Sequence, residues 1–352
     1  MILRGAGVAF AGMGFILNVI LIYTIYKIAN LFNSKAKKWI HKHAKFAGYH
    51  VILAFSSLLW TRPFYLYCNG SRISKNKTVS ICNHVCDFDW IYIMRIYYYF
   101  GLYEELFFLL KNQLVQLPLI GYILLKHGHI PLTRTNTAKD IATIENSIKE
   151  IQKRFEHFSV FIFPEGTYPS RRSVEKSLLF SEEKQIIVNG ILFQPKNILM
   201  PRTNGFNTLV RLINPGYILD TTILNNPYIL MLSEEMTIVE YLFTEKIHIS
   251  PIFIVSIVST NKLDENFVFR AFDEKNKLIE KYKNQLYNNE KIHLDDVQNI
   301  LGIIFPEQSI QIEQLYITTQ HRYTIFTYTI VIYVLLGWNI YKLIRLILIL
   351  FK

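Results

Sequence analysis

Two short apolar runs, each breaking into a polar turn, constrain this chain more than any other feature. Residues 79–82 (Val-Ser-Ile-Cys) lead into Asn83-His84-Val85-Cys86-Asp87-Phe88-Asp89-Trp90, and residues 160–163 (Val-Phe-Ile-Phe) lead into Pro164-Glu165-Gly166-Thr167. Runs this short and apolar read as buried strands, and strands alternating with helical stretches build α/β sheets. In the first turn His84 stands five residues before Asp89. A carboxylate that reaches the second ring nitrogen fixes the tautomer and stabilises the imidazolium. The imidazole is then a base able to take a proton from an alcohol. In the second turn Gly166 allows close backbone approach or a positive φ. Together, in this order, the two turns point to acyl transfer onto a hydroxyl.

Cys82, His84 and Cys86 alternate and would share one face of a strand, but a structural zinc site needs a fourth ligand and usually Cys-x-x-Cys spacing. No metal is expected. Cys86 as a nucleophile gains little, because acylating it from a thioester only makes another thioester. His127 and His129 flank Gly128 without an acidic neighbour and read as structural.

The chain is 51% hydrophobic, with a mean hydropathy of +0.21. That balance suggests one soluble catalytic body with membrane segments attached. Three cysteines give no disulfide framework and suit a reducing compartment. The net charge of +11 favours anionic partners. No nucleic-acid motif accompanies it, and the lysines lie beside apolar segments, so membrane phosphates and a polyphosphate co-substrate fit better.

Residues 7–32 form an apolar run long enough to span a bilayer. The basic stretch at 35–45 follows, cytosolic by the positive-inside rule. Residues 46–60 are apolar but short, as in a re-entrant or interfacial helix. Together they make an N-terminal membrane region, residues 1–62. Candidate strands at 79–82, 129–132 and 159–163 and an amphipathic helix at 138–155, with Ile141, Ile144, Ile148 and Ile151 at helical spacing, define a catalytic domain over 63–260. Residues 90–110, apolar and rich in tyrosine, read as a buried or interfacial helix pair. Residues 261–322 read as a polar helical region with a solvated charged face, and 323–352 as a hydrophobic C-terminal anchor.

Four blocks then fall in register: Asn83-His84 with Asp89-Trp90; Leu110-Lys111, Pro118-Leu119-Ile120-Gly121-Tyr122 and Ile130-Pro131-Leu132-Thr133-Arg134; Phe163-Pro164-Glu165-Gly166-Thr167; and Leu199-Met200-Pro201-Arg202-Thr203-Asn204-Gly205-Phe206. Over residues 46–260 the chain resembles the glycerolipid acyltransferases of the lysophosphatidic acid acyltransferase family. The last block, followed by Leu219-Asp220-Thr221-Thr222, resembles the eukaryotic branch that includes lysocardiolipin acyltransferase.

The resemblance implies an α/β sheet flanked by helices, N-terminal membrane helices and a C-terminal anchor. It implies transfer of a fatty acyl group from acyl-CoA, a co-substrate rather than a bound cofactor, to the free hydroxyl of a lysophospholipid. The first acceptor to expect is 1-acyl-sn-glycerol-3-phosphate, at an internal membrane such as the endoplasmic reticulum, with the site facing the cytosol. His84 would be the base and Asp89 its orienting partner. Lys111 and Arg134 would clamp phosphate, and Glu165, Gly166 and Thr167 would lie at the acceptor. Many members carry arginine where this chain has Tyr168, and Arg171 and Arg172 are the candidates to supply that charge. Pro201 and Arg202 read as architectural. The alternatives are another acceptor (lysophosphatidylinositol or lysocardiolipin), a CoA-independent transacylase, and an inactive membrane scaffold.

Overall fold

A computed structural model describes residues 2–59, 64–68, 75–226, 229–236, 250–287 and 311–315. The chain divides into two compact units, one of them running from Arg62 to Leu315. In the other, helices α1 (Ile2–Ala29) and α2 (Ser34–Leu59) pack as a pair, Tyr26 standing edge-on to His41 with ring centroids 4.9 Å apart. Asn33 opens α2 by accepting the Ala36 N–H at 3.0 Å. The basic run and the short apolar run thus form one continuous helix rather than two segments. A switch from charged to apolar side chains does not interrupt helical backbone; proline does. The side chains of α1 are described from Phe15 onward, and among the described residues no helix is long and apolar enough to cross a membrane. The expected C-terminal anchor lies outside the described residues.

The larger unit holds β1 (Phe64–Cys68), β2 (Lys77–Cys82), α3 (Asp89–Tyr99), β3 (Leu106–Lys111), α4 (Ile120–Lys126), β4 (Ile130–Leu132), α5 (Thr137–Gln152) and β5 (Phe158–Ile162). There follow α6 (Arg171–Lys184), a small hairpin of β6 (Ile187–Val188) and β7 (Ile191–Leu192), α7 (Thr203–Ile213) and β8 (Tyr217–Asn226). The unit ends with α8 (Leu232–Glu235), β9 (Ser250–Ser259), α9 (Phe267–Tyr287) and β10 (Gln311–Leu315).

Eight strands form one sheet in the order β10-β1-β9-β8-β2-β5-β3-β4. β2 runs parallel to both β8 and β5, and β3 runs parallel to β5 and β4. The C-terminal ends of β2, β5, β3 and β4 therefore share one edge, the side on which open α/β sheets bind ligands. Parallel pairing sets Ile81 opposite Ile162, so the two turns first met in the sequence leave the sheet side by side.

The strands are apolar because both faces are covered. On one side α5 buries Ile144, Ile148 and Ile151, α7 buries Phe206, Leu209 and Ile213, and α9 buries Val268, Phe272 and Ile279, all in one core with Val79, Phe107 and Val160. On α3, Tyr97 joins a buried hydroxyl cluster with Ser80 of β2 and Ser159 of β5, its hydroxyl 2.8 Å from Ser159 Oγ. This pins the helix that begins at Asp89.

Further readings change, the first being that the stretch 261–322, read as polar and helical, also contributes strand β10, paired antiparallel with β1. Residues 106–110 form a strand, not a helix: Leu106, Phe107, Phe108, Leu109 and Leu110 are all buried, as a strand covered on both faces requires. Likewise, the charged run 273–283 is no freely solvated face. Lys275 is buried and bonds to Asp220, to Thr221 O at 2.9 Å and to Thr222 Oγ1 at 3.0 Å, locking α9 onto β8.

Candidate active site

The site is assembled where β2 ends. Asn83 mimics one more step of strand pairing: its Nδ2 donates to Ile223 O at 3.0 Å and its Oδ1 accepts the Ile223 N–H at 2.7 Å. That fixes the chain just before His84. Five residues on, Asp89 opens α3 with its side chain 1% exposed. Its Oδ2 accepts from His84 Nδ1 at 2.8 Å and from the backbone N–H groups of Val85 and Cys86. With Nδ1 donating to a carboxylate, Nε2 keeps its lone pair. The imidazole is held on its other sides as well, stacked on Phe163 at 4.3 Å and edge-on to Tyr168 at 5.8 Å.

Cys86 is buried, and its Sγ donates to Asp89 Oδ1 at 3.3 Å. Burial pushes its thiol well above the ordinary range, with the Asp89 charge adding to the effect. Such a sulfur stays protonated and is no nucleophile. Among the described residues no group of three or more His, Cys, Asp or Glu side chains is placed to hold a metal ion.

The second turn clips the site together. Glu165 is 3% exposed, and its two carboxylate oxygens accept the His84 N–H at 2.9 Å and the Leu199 N–H at 3.2 Å. Burial raises its carboxyl well above the usual carboxylate range, against the pull of those two donors. Gly166 has φ +74°, and its carbonyl accepts from Arg134 Nη1. Next to it, the Arg202 N–H donates to Pro164 O at 2.9 Å.

Beside this turn opens a cavity of about 980 Å³. Leu109, Ile144, Ile162 and Phe180 give it apolar walls, while Arg134, Arg172, Lys176 and Arg202 give it positive charge. Phe163 also lines it and carries the His84 ring on its face. Arg134 sits in a strained turn at φ +62°. Asp140, in the first turn of α5, holds that turn by accepting from Thr133 N at 2.7 Å, Thr133 Oγ1 at 2.9 Å and Arg134 N at 2.7 Å. Burial, then the neighbouring Arg202, pushes the Arg134 guanidinium down to about 10.

Of the residues the sequence singled out, His84, Asp89, Arg134, Glu165, Gly166 and Thr167 meet around this turn. Lys111 ends β3 with its Nζ 5.9 Å from the Tyr168 ring centroid, and its ammonium is pushed down by burial and by Arg134. Arg172 faces the cavity. Arg171 does not: its side chain is 90% exposed and lies against Glu234. Three contributors escaped the sequence reading. Asp140 and Lys176 carry no motif signal, and Arg202 was read as architectural because nothing local shows its turn meeting residues 164–166.

The family model that matches this chain is described as Acyltransferase and covers residues 66–255, more than half of the sequence. Among similar proteins, an uncharacterized acyltransferase of Schizosaccharomyces pombe is 28% identical over 144 residues, 40% of this chain and 39% of that protein. A 1-acyl-sn-glycerol-3-phosphate acyltransferase 3 of Arabidopsis thaliana is 25% identical over 213 residues, 58% of this chain and 53% of that protein. A 2-acyl-1-lysophosphatidylinositol acyltransferase of Saccharomyces cerevisiae is 24% identical over 190 residues, 44% of this chain and 46% of that protein. The chain thus spans about a third to a half of the length of such relatives. It belongs to the acyltransferase family, on the lysophosphatidic acid acyltransferase side that its four blocks resemble.

Proposed function

We propose that this protein transfers a fatty acyl group from acyl-CoA to the free hydroxyl of a lysophospholipid, with 1-acyl-sn-glycerol-3-phosphate as the acceptor. The observation that carries the reading is the His84–Asp89 pair, with Nδ1 committed to a buried carboxylate at 2.8 Å. His84 Nε2 takes the acceptor hydroxyl proton as that oxygen attacks the thioester carbonyl. The tetrahedral intermediate collapses with loss of CoA thiolate, and the imidazolium returns the proton to the leaving sulfur. Asp89 stabilises the imidazolium between those steps. A thioester is already activated, so no acyl-enzyme is needed, and the protonated Cys86 fits that economy.

The cavity supports the same reading, since its apolar walls suit an acyl chain and its cations suit a phosphate. Relatives named for 1-acyl-sn-glycerol-3-phosphate support the acceptor. The apolar residues 7–32 and the basic stretch after them support attachment to an internal membrane, such as the endoplasmic reticulum, with the site on the cytosolic side.

Purified protein incubated with oleoyl-CoA and 1-oleoyl-glycerol-3-phosphate should release free thiol and form the diacyl product. Product formed equally well without any CoA ester, from a phospholipid donor, would mean a transacylase instead. No product from any lysophospholipid would leave only the scaffold.

A further inference from the structure

Four cations line the cavity, and its two carboxylates are already engaged. Asp140 spends its oxygens on Thr133 and on the backbone of Arg134, and Glu165 spends both of its own on the His84 and Leu199 N–H groups. Among the described residues no carboxylate hydrogen-bonds the guanidinium of Arg134 or Arg202. Yet these two groups converge. A Cβ built on Gly166 would meet Arg134 Nη1 at 3.9 Å and Arg202 Nε and Cζ at 3.9 Å.

Arg134 is held by its guanidinium, whose Nη1 donates to Gly166 O, and Arg202 by its backbone, whose N–H donates to Pro164 O. Two like charges held against one turn repel each other. The proximity of Arg202 indeed lowers the proton affinity of Arg134, second only to burial. A third source of positive potential adds to them. α7 begins directly after Arg202 with no side-chain cap, and Thr203, Asn204 and Gly205 of its first turn line the same wall. An arrangement of this kind is completed by an anion rather than by protein.

We propose that Arg202 is the second arm of a paired-guanidinium clamp, with Arg134, that holds a phosphomonoester dianion over Gly166 and so selects phosphomonoester acceptors over phosphodiester ones. This rests on the acyl-transfer reading for its choice of ligand. A phosphomonoester carries up to two charges near neutral pH and three terminal oxygens. Two planar forks can each take a pair of those oxygens. A phosphodiester, as in lysophosphatidylinositol, offers one charge and two free oxygens, and satisfies one fork at most. The acyl donor's nucleotide portion also carries a phosphomonoester, so the test must tell the two sources apart.

Kinetics in mixed micelles should vary 1-oleoyl-glycerol-3-phosphate, lysophosphatidylinositol and oleoyl-CoA in turn. Arg202→Ala should raise KM for the phosphomonoester by about 10- to 100-fold. KM for oleoyl-CoA and for lysophosphatidylinositol should move little, so that the preference between acceptors narrows. Arg202→Lys should restore part of the loss, and the exposed Lys153→Ala should match wild type. Arg202→Gln, which keeps most of the side chain's bulk, substitutes if the alanine variant melts early. A rise in KM for oleoyl-CoA would hand the clamp to the donor. Equal losses on both acceptors, or no loss, would remove the selectivity and overturn the proposal. Direct binding of 1-oleoyl-glycerol-3-phosphate to wild type and Arg202→Gln, measured calorimetrically without donor, separates the two readings. A protein that binds through Arg202 yet transfers no acyl group keeps the clamp and loses the activity.

Discussion

A histidine whose Nδ1 is bound to a buried carboxylate has one nitrogen left for chemistry, so either partner's removal acts on the same proton. His84→Ala should lower kcat by about 10²–10⁴-fold while acyl-CoA binding persists. Asp89→Asn should be comparably severe. An amide can keep its oxygen where Oδ2 accepts from His84, Val85 and Cys86, but without the negative charge it cannot stabilise the imidazolium. A His84→Ala enzyme with most of its turnover intact would end the base assignment. Glu165 makes a different prediction. In the unfolded chain its carboxyl titrates near the ordinary value of about 4.3; in the fold, burial moves it up. Between those two pKa values the folded state keeps a proton that the unfolded state has lost, so stability falls as pH rises through the window. The melting temperature of wild type minus that of Glu165→Gln should shrink as pH rises above the ordinary carboxylate range. A constant difference would mean the buried carboxyl titrates like a free one. His84 and Asp89 were legible in the sequence because five residues of one turn join them. Arg202 was not, because its place depends on α7 docking beside a turn some forty residues upstream.

At the level of elements, what could be read followed from how local each signal was. β2 and β5 were legible because each short apolar run breaks into a polar turn, and α5 because its isoleucines recur at helical spacing; in the fold Asn136 caps α5 by accepting the Lys139 N–H at 3.0 Å. β3 was not, since five consecutive apolar residues have no period and fit a buried helix equally well. α9 was misjudged for the opposite reason. Its charged residues are conspicuous, while the face that packs on the sheet is set by Asp220, 55 residues away in sequence from Lys275. That pair gives a test of the element. The Lys275 side chain is 2% exposed, so Lys275→Met leaves Asp220 and the Thr222 hydroxyl without a partner. Breaking a buried pair from one side costs about 3–5 kcal/mol. The urea midpoint should drop accordingly, and Lys275→Met combined with Asp220→Leu should recover much of the loss. If the single variant unfolds at the wild-type midpoint, α9 is not held by this contact.

For the molecule as a whole, the proposed attachment to a membrane makes a prediction about the side on which the sheet edge stands. The argument starts from charge. The chain carries +11 overall, and Lys35, Lys37, Lys38 and Lys42 cluster in the first turns of α2, directly after the apolar run of α1. Short basic segments beside an apolar run stay in the cytosol, where anionic headgroups attract each lysine by about 1 kcal/mol. Two glycosylation acceptors, Asn69-Gly70-Ser71 and Asn76-Lys77-Thr78, precede the catalytic turn. Asn69 lies outside the described residues. Asn76 directly precedes β2, its Oδ1 accepting the Lys77 N–H at 2.7 Å. Since β2 leads straight into His84, a glycan at Asn76 would report the side on which the catalytic base stands. On a cytosolic site neither asparagine meets the lumenal glycosylation machinery, so protein expressed in its own kind of cell should show no mobility shift on glycosidase treatment. A shift abolished by Asn69→Gln together with Asn76→Gln would put His84 in the lumen. The basic run would then be on the wrong side of the bilayer, and the acyl donor would have to be one supplied there.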